Sequence, residues 1–178
     1  MTKAYIGVGS NIQPERFIVM ALERLCQSLK IVSTSPFYRT KAVGTALGQE
    51  DFINGMIAVE TNLSAHQLKY DILREIEYEL GRLKDMPKHA PRNMDLDLVL
   101  FGDEIVEDLN VPEPEILDRP YVYVPLLDIA PELIIPGQTK TLVELLNANN
   151  SISRRNCIKG KTLSYLSGTS HKVHELII

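Results

Sequence analysis

The chain has 178 residues, 44% of them hydrophobic and 24% charged, with a formal net charge of −4. That balance predicts one globular domain with its own core, and the acidic total leaves no footprint for nucleic acid. No apolar run approaches the roughly 20 residues of a membrane span, and the first residues lack a signal-peptide core, so a cytoplasmic protein without a membrane partner is expected. Cys26 and Cys157 read as free thiols of a reducing compartment.

Residues 3–9 alternate Ala4, Ile6 and Val8 against Tyr5, Gly7 and Gly9, which predicts a first strand with one nearly bare face. Pro14 suits the first position of a helix, and Ile18, Ala21, Leu22 and Leu25 recur at helical spacing to about Leu29. Residues 31–38 are rich in β-branched types and predict a second strand. Residues 39–49 have no period and two glycines, the mark of a loop. Residues 52–61 predict a third strand, with Ile53, Ile57 and Val59 on one face and Phe52, Asn54, Met56 and Ala58 on the other. An aromatic and an amide side by side suit a flat heterocycle, the ring for stacking and the amide for reading its edge.

Ser64 and Gln67 form a capping-box pattern before a helix striped by Leu68, Ile72, Leu73, Ile76 and Leu80 and stopped by Gly81. Glu77 falls at the edge of that stripe, where it can face a cleft. Residues 82–93 carry Arg82, Lys84, Lys88 and Arg92 with two prolines and no apolar period, a basic loop. It leads into A-P-R-N-M-D-L-D-L-V-L-F (90–101). With period two, Met94, Leu96, Leu98 and Leu100 point one way, while Asp95, Asp97, Val99 and Phe101 point the other. Two carboxylates roughly 7 Å apart on one strand face repel unless a cation lies between them. Hard oxygen donors without Cys or His suit Mg²⁺, and guanidinium groups nearby suit phosphate oxygens, the equipment of phosphoryl transfer. Gly102-Asp103 predicts a tight turn into a hairpin through 104–106, and 121–124 a further strand. Short helices are expected at 128–133 and 141–147. Residues 151–178 read as a polar, basic extension of unassigned role beyond a single domain at 1–150. Gly160-Lys-Thr162 lacks the earlier glycine of a P-loop, and His171 and His174, at a possible metal spacing, fall in a stretch expected to be frayed and are discounted. Strands and helices do not alternate one for one, which predicts an α+β fold with a mostly antiparallel sheet.

Seven stretches together resemble the 6-hydroxymethyl-7,8-dihydropterin pyrophosphokinase family: Y-I-G-V-G-S-N (5–11), S-P-F-Y-R-T (35–40), D-F-I-N (51–54), I-E-Y-E-L-G-R (76–82), K-H-A-P-R-N-M-D-L-D-L-V-L-F-G (88–102), D-R-P-Y-V-Y-V-P-L (118–126) and I-A-P-E-L (129–133). The resemblance implies a ferredoxin-like α/β sandwich and transfer of the pyrophosphoryl unit of ATP to the pterin hydroxymethyl group, with release of AMP. It implies two Mg²⁺ ions at Asp95 and Asp97. It implies a pterin site formed by Thr40, Val43, Phe52, Asn54 and Tyr121. A nucleotide site is implied at Glu77, Arg82, Lys84, Arg92, Leu98 and Arg119. Arg82, Arg92 and Asp97 are the residues expected to carry the chemistry. ATP and the pterin are the expected partners of a monomer, and 43–49 and 84–90 match the family's closing loops. This chain departs from the family at Lys84, where many members have arginine, at His89, where some have tryptophan, and at Glu113, which replaces a nucleotide-side histidine.

Overall fold

The computed structural model describes residues 1–41, 50–83 and 90–148, together with the backbone of 157–159. Its centre is an antiparallel sheet of β1 (Thr2–Ser10), β2 (Lys30–Thr34), β3 (Tyr38–Thr40), β4 (Phe52–Thr61), β5 (Asp95–Phe101) and β6 (Cys157–Lys159). The path runs β5-β1-β4-β3-β6, and β2 pairs with the other half of β4. With α1 (Pro14–Ser28) after β1 and a helical run before β5, the order βαββαβ and the sequence β5-β1-β4-β2 across the sheet make the expected ferredoxin-like arrangement.

The helical run consists of α2 (Ala65–Gln67), a π-helical turn (Leu68–Leu73) and α3 (Arg74–Glu79). Its capping box is formed: the Gln67 N–H donates to Ser64 Oγ at 3.2 Å and the Ser64 N–H donates to Gln67 Oε1 at 3.0 Å. Gly81 ends the run at φ 93°, a left-handed conformation that favours glycine. The buried residues of α1 are the four of the expected stripe, Ile18, Ala21, Leu22 and Leu25. They join Leu68, Leu73, Ile76, Leu96, Leu98 and the strand residues Ala4, Ile6, Val8, Ile53, Ile57 and Val59 in one core. The opposite face is covered by α4 (Pro120–Ile129) and α5 (Leu142–Ala148), where Tyr123, Val124, Leu126, Leu142 and Leu146 pack on Tyr5, Tyr38, Met56, Ala58, Val99 and Leu100.

Six expectations are corrected. The strand expected at 31–38 is interrupted after Thr34, because Pro36 has no N–H to give the ladder, and Ser35 bridges the gap with its own N–H and hydroxyl to Met56. Arg39 and Thr40, expected in a loop, belong to β3, while 42–49 lie outside the described residues. The alternation of β5 holds only to Leu98. Between Tyr5/Ile6 of β1 the register shifts, so Val99 and Leu100 both enter the second core while Phe101 turns to the first, reversing the expected phase of Leu100 and Phe101. No hairpin follows Gly102: its N–H bonds Lys3 O, a 3₁₀ turn (Glu107–Leu109) follows, and the Glu113 N–H pairs with Val99 O. The run 121–124, expected as a strand, is the first part of α4. Pro120 stands at the helix start with φ set for it, and burial of Tyr123, Val124 and Leu126 outweighs the β-propensity of Y-V-Y-V. The short helix expected at 128–133 shrinks to the last turn of α4. At α5, Thr141 and Glu144 form a capping box that was not anticipated.

Candidate active site

The antiparallel register aligns the candidate residues in rows across the sheet. Asp95 on β5 pairs with Gly9 on β1, Gly9 with Asn54 on β4, and Asn54 with Tyr38 on β3. In the adjacent row Asp97 pairs with Gly7, and Gly7 with Met56. At about 4.8 Å per strand, the Asp95 and Asn54 backbones stand roughly 10 Å apart with a glycine between them. The glycines keep this floor bare. A Cβ on Gly9 would lie 2.8 Å from Asn54 Oδ1 and 3.9 Å from Asp95 Cβ; one on Gly7 would lie 3.4 Å from Val99 Cγ2.

Above the floor is a cavity of about 460 Å³, within the usual range for a small-molecule pocket. Thr40, Phe52, Asn54, Arg92, Asp95, Asp97, Arg119 and Tyr121 all line it, so eight expected site residues converge from β3, β4, β5 and the start of α4. Asn54 donates from Nδ2 to Thr40 Oγ1 at 2.7 Å, which fixes its amide and leaves Oδ1 over Gly9. Phe52 and Tyr121 supply two rings, and burial pushes the Tyr121 phenol above its usual pKa.

At the other end Asp95 is bracketed by two guanidinium groups, Arg82 Nη1 at 2.8 Å from Oδ1 and Arg92 Nη1 at 2.5 Å from Oδ2. Arg82 Nη1 also meets Glu77 Oε1 at 2.5 Å. Glu77 is 2% exposed and accepts the Leu96 N–H at 2.8 Å, with Arg74 Nη1 3.2 Å from its second oxygen. Burial pushes the Glu77 carboxyl up, and the Leu96 N–H and Arg82 oppose that shift. Asp97 opens to solvent through the mouth of the cavity but lies in a concave wall. Desolvation there, followed by the charges of Asp95, Glu77 and Glu113, pushes it up to about 7.

Glu77 and Leu98, expected at the nucleotide, do not line the cavity. Glu77 is on the buried side of α3, and the Leu98 side chain is in the helix-covered core. Arg82 reaches the site only through Asp95 in this arrangement. Val43, Lys84 and His89 lie outside the described residues. Lining residues not anticipated for the site include Lys41, Met56, Val99, Glu115 and Val122; Glu113, expected on the nucleotide side, enters the wall from the connector. Glu115 accepts from Arg119 Nη2 at 2.6 Å. Asn11 was missed as well. Its Oδ1 accepts the Arg92 N–H at 2.8 Å and its own N–H bonds Arg92 O at 3.2 Å, so the end of β1 clamps the arginine loop. The S-N pair following the alternating strand was the only local signal.

Among the described residues no group of three or more His, Cys, Asp or Glu is gathered to hold a metal alone. A pair of carboxylates that leaves most coordination positions to phosphate and water fits Mg²⁺ bound together with a nucleotide.

A family model described as 7,8-dihydro-6-hydroxymethylpterin-pyrophosphokinase matches residues 5–131. A Pseudomonas aeruginosa 2-amino-4-hydroxy-6-hydroxymethyldihydropteridine pyrophosphokinase is 39% identical over 152 residues, covering 82% of this chain and 91% of the relative. The Synechocystis protein of the same description is 35% identical over 148 residues, covering 80% of this chain and 74% of its own length. A Pneumocystis carinii folic acid synthesis protein is 39% identical over 136 residues, covering 74% of this chain but 18% of that longer protein. Among solved structures, wild-type Plasmodium falciparum HPPK-DHPS superposes with a TM-score of 0.67 at 14% identity, covering 92% of this chain. This chain spans just under half, 48%, of that two-part protein, and the likeness concerns the fold alone. With that matched span and those identities, the chain belongs to the 7,8-dihydro-6-hydroxymethylpterin-pyrophosphokinase family.

Proposed function

We propose that the cavity is the two-substrate site at which the family reaction runs: the pyrophosphoryl group of ATP moves to the hydroxymethyl oxygen of 6-hydroxymethyl-7,8-dihydropterin and AMP leaves. The observation that carries this assignment is the row Asp95-Gly9-Asn54, which puts one carboxylate of the acidic pair and a ring-reading amide at opposite ends of one bare floor, with Asp97 in the next row beside Gly7. Thr40 orients Asn54 toward the pterin edge, and Phe52 and Tyr121 hold the ring between them, with Val43 completing that end. Arg92, Arg119 and Lys84 serve the nucleotide phosphates. Arg82 joins them by way of Asp95. Leu98 contributes backbone only, since its side chain is buried. Glu77 serves the nucleotide indirectly, by holding Arg82 beside β5.

An ATP-dependent kinase works with a divalent cation, and we assign two Mg²⁺ ions to Asp95 and Asp97. Bound there, the ions neutralise phosphate charge. The protein's share of the work is positioning and electrostatic stabilisation. Asp95 and Asp97 would hold the cations that carry the anionic end, Arg92 meets charge that builds on the transferred group with Arg82 acting behind it through Asp95, and the aromatic walls exclude water. The pterin hydroxyl is the nucleophile, and Asp97 is the protein carboxylate we assign to assist it. The working unit is a cytoplasmic monomer with no nucleic acid partner, in keeping with the net charge of −4; no helix among the described residues is long and apolar enough to cross a membrane.

The test is a coupled assay for AMP release with pterin, ATP and Mg²⁺. Pterin-dependent AMP is expected. Release of pyrophosphate instead would mean attack at the α-phosphorus, and no pterin-dependent product at all would refute the site.

A further inference from the structure

The segment 151–178 was expected to stand apart from the catalytic domain, yet three of its residues are built into the sheet. β6 pairs antiparallel with every residue of β3: Cys157 with Thr40, Ile158 with Arg39, and Lys159 with Tyr38. Through β3 the two rows of the pterin end continue into this strand, Phe52-Thr40-Cys157 and Asn54-Tyr38-Lys159. β6 also lies beside α4, the helix that carries Tyr121.

β3 is only three residues long and its other partner is β4. A strand that short, paired on one side, is marginal, because its few ladder bonds scarcely offset the entropy of ordering it. Thr40 is nevertheless required to hold the Asn54 amide at 2.7 Å. We propose that β6 is a positioning strand for the pterin end of the site, holding β3 and α4 so that Thr40, Asn54 and Tyr121 face the ligand together. β6 lies beyond residues 5–131 that match the family model, so this brace is a property of the chain outside the matched region. The proposal rests on the assignment of Thr40, Asn54 and Tyr121 to the pterin.

The full chain carrying Cys157→Pro together with Ile158→Pro tests it. Successive N–H groups of a strand point to opposite sides, so one of the two prolines removes the N–H that faces β3. The control is Cys157→Ala with Ile158→Ala, which keeps both N–H groups. The proline variant is expected to raise the pterin KM about fivefold, the scale of one hydrogen bond's worth of ordering, with the ATP KM within twofold of wild type. Hydrogen exchange at Arg39 and Thr40 is expected to quicken in the proline variant and not in the alanine control. A pterin KM within twofold of wild type, or exchange at β3 that does not change, overturns the proposal. Asn54→Ala is measured alongside. If it leaves the pterin KM unchanged while the proline variant raises it, the brace stands and the assignment of Asn54 falls.

Discussion

Glu77→Ala removes the one buried carboxylate beneath the acidic pair. Glu77 is 2% exposed and joins three groups: the Leu96 N–H at 2.8 Å, Arg82 at 2.5 Å and Arg74 at 3.2 Å. Breaking a buried ion pair from one side costs about 3–5 kcal/mol, but both arginines retain relief here. Arg82 is 18% exposed and keeps Asp95, and Arg74 is 30% exposed, so the low end applies. The Leu96 N–H is the group left buried without its acceptor, at about 1–3 kcal/mol. Together these give a loss of about 4–6 kcal/mol. At about 2–4 °C per kcal/mol for a chain of this size, Tm falls by roughly 8–24 °C. Glu77→Gln keeps an acceptor for Leu96 and loses only the charge, so it falls by about half as much. Thermal unfolding followed by circular dichroism, with pterin and ATP KM measured on both variants, checks this. Because Glu77 is outside the cavity, the pterin KM stays within twofold while kcat drops as Arg82 loses its tether. A Tm within about 2 °C of wild type for the alanine variant, or a glutamine variant less stable than the alanine one, would refute the reasoning.

Asp97→Ala is expected to lower turnover by at least about a thousandfold with Tm no lower than wild type, since the carboxylate is crowded by Asp95, Glu77 and Glu113; steady-state AMP release and a melting curve decide it. Gly9→Ala puts a methyl group 2.8 Å from Asn54 Oδ1, so the amide must turn away from Thr40 and the pterin KM is expected to rise about tenfold, while the ATP KM holds. Gly55→Ala drives a Cβ to 2.7 Å from the buried Phe37 ring, which cannot swing aside. A stability loss of about 1–3 kcal/mol by denaturant titration is expected there. Gly7→Ala, at 3.4 Å from Val99 Cγ2, should cost much less.

The parts of this molecule that were legible in its residues are those whose information is local. β4 matched its period-two reading from Phe52 to Thr61, and α1 buried the four residues of its stripe, because side-chain period and burial agree within one element. The same period brought Asp95 beside Asp97 and Phe52 beside Asn54. Partners decided the rest. The phase change at Val99 is a property of the pairing with Tyr5 and Ile6, invisible in β5 itself. Y-V-Y-V favours a strand by composition, and only Pro120 and the packing of Tyr123 and Leu126 make it helical. In the site, Asn11 clamps Arg92 across 81 residues and Glu115 enters the cavity from a connector, contacts that no local spacing encodes.

Among the described residues the two faces of the sheet are unequally covered. The 15-residue α1 and the run ending in α3 roof one side, whereas α4 and α5, of 10 and 7 residues, roof only part of the other. Gly7, Gly9 and Asn54 lie where that second roof stops short. Substrates therefore take the place of a missing piece of the outer layer, and occupancy is a continuation of folding by other molecules. Bound ligands should tighten the whole sheet as a packed helix would, each worth about 2.7 kcal/mol at a hundredfold excess over its Kd, so this fold is at its most complete only while it is at work.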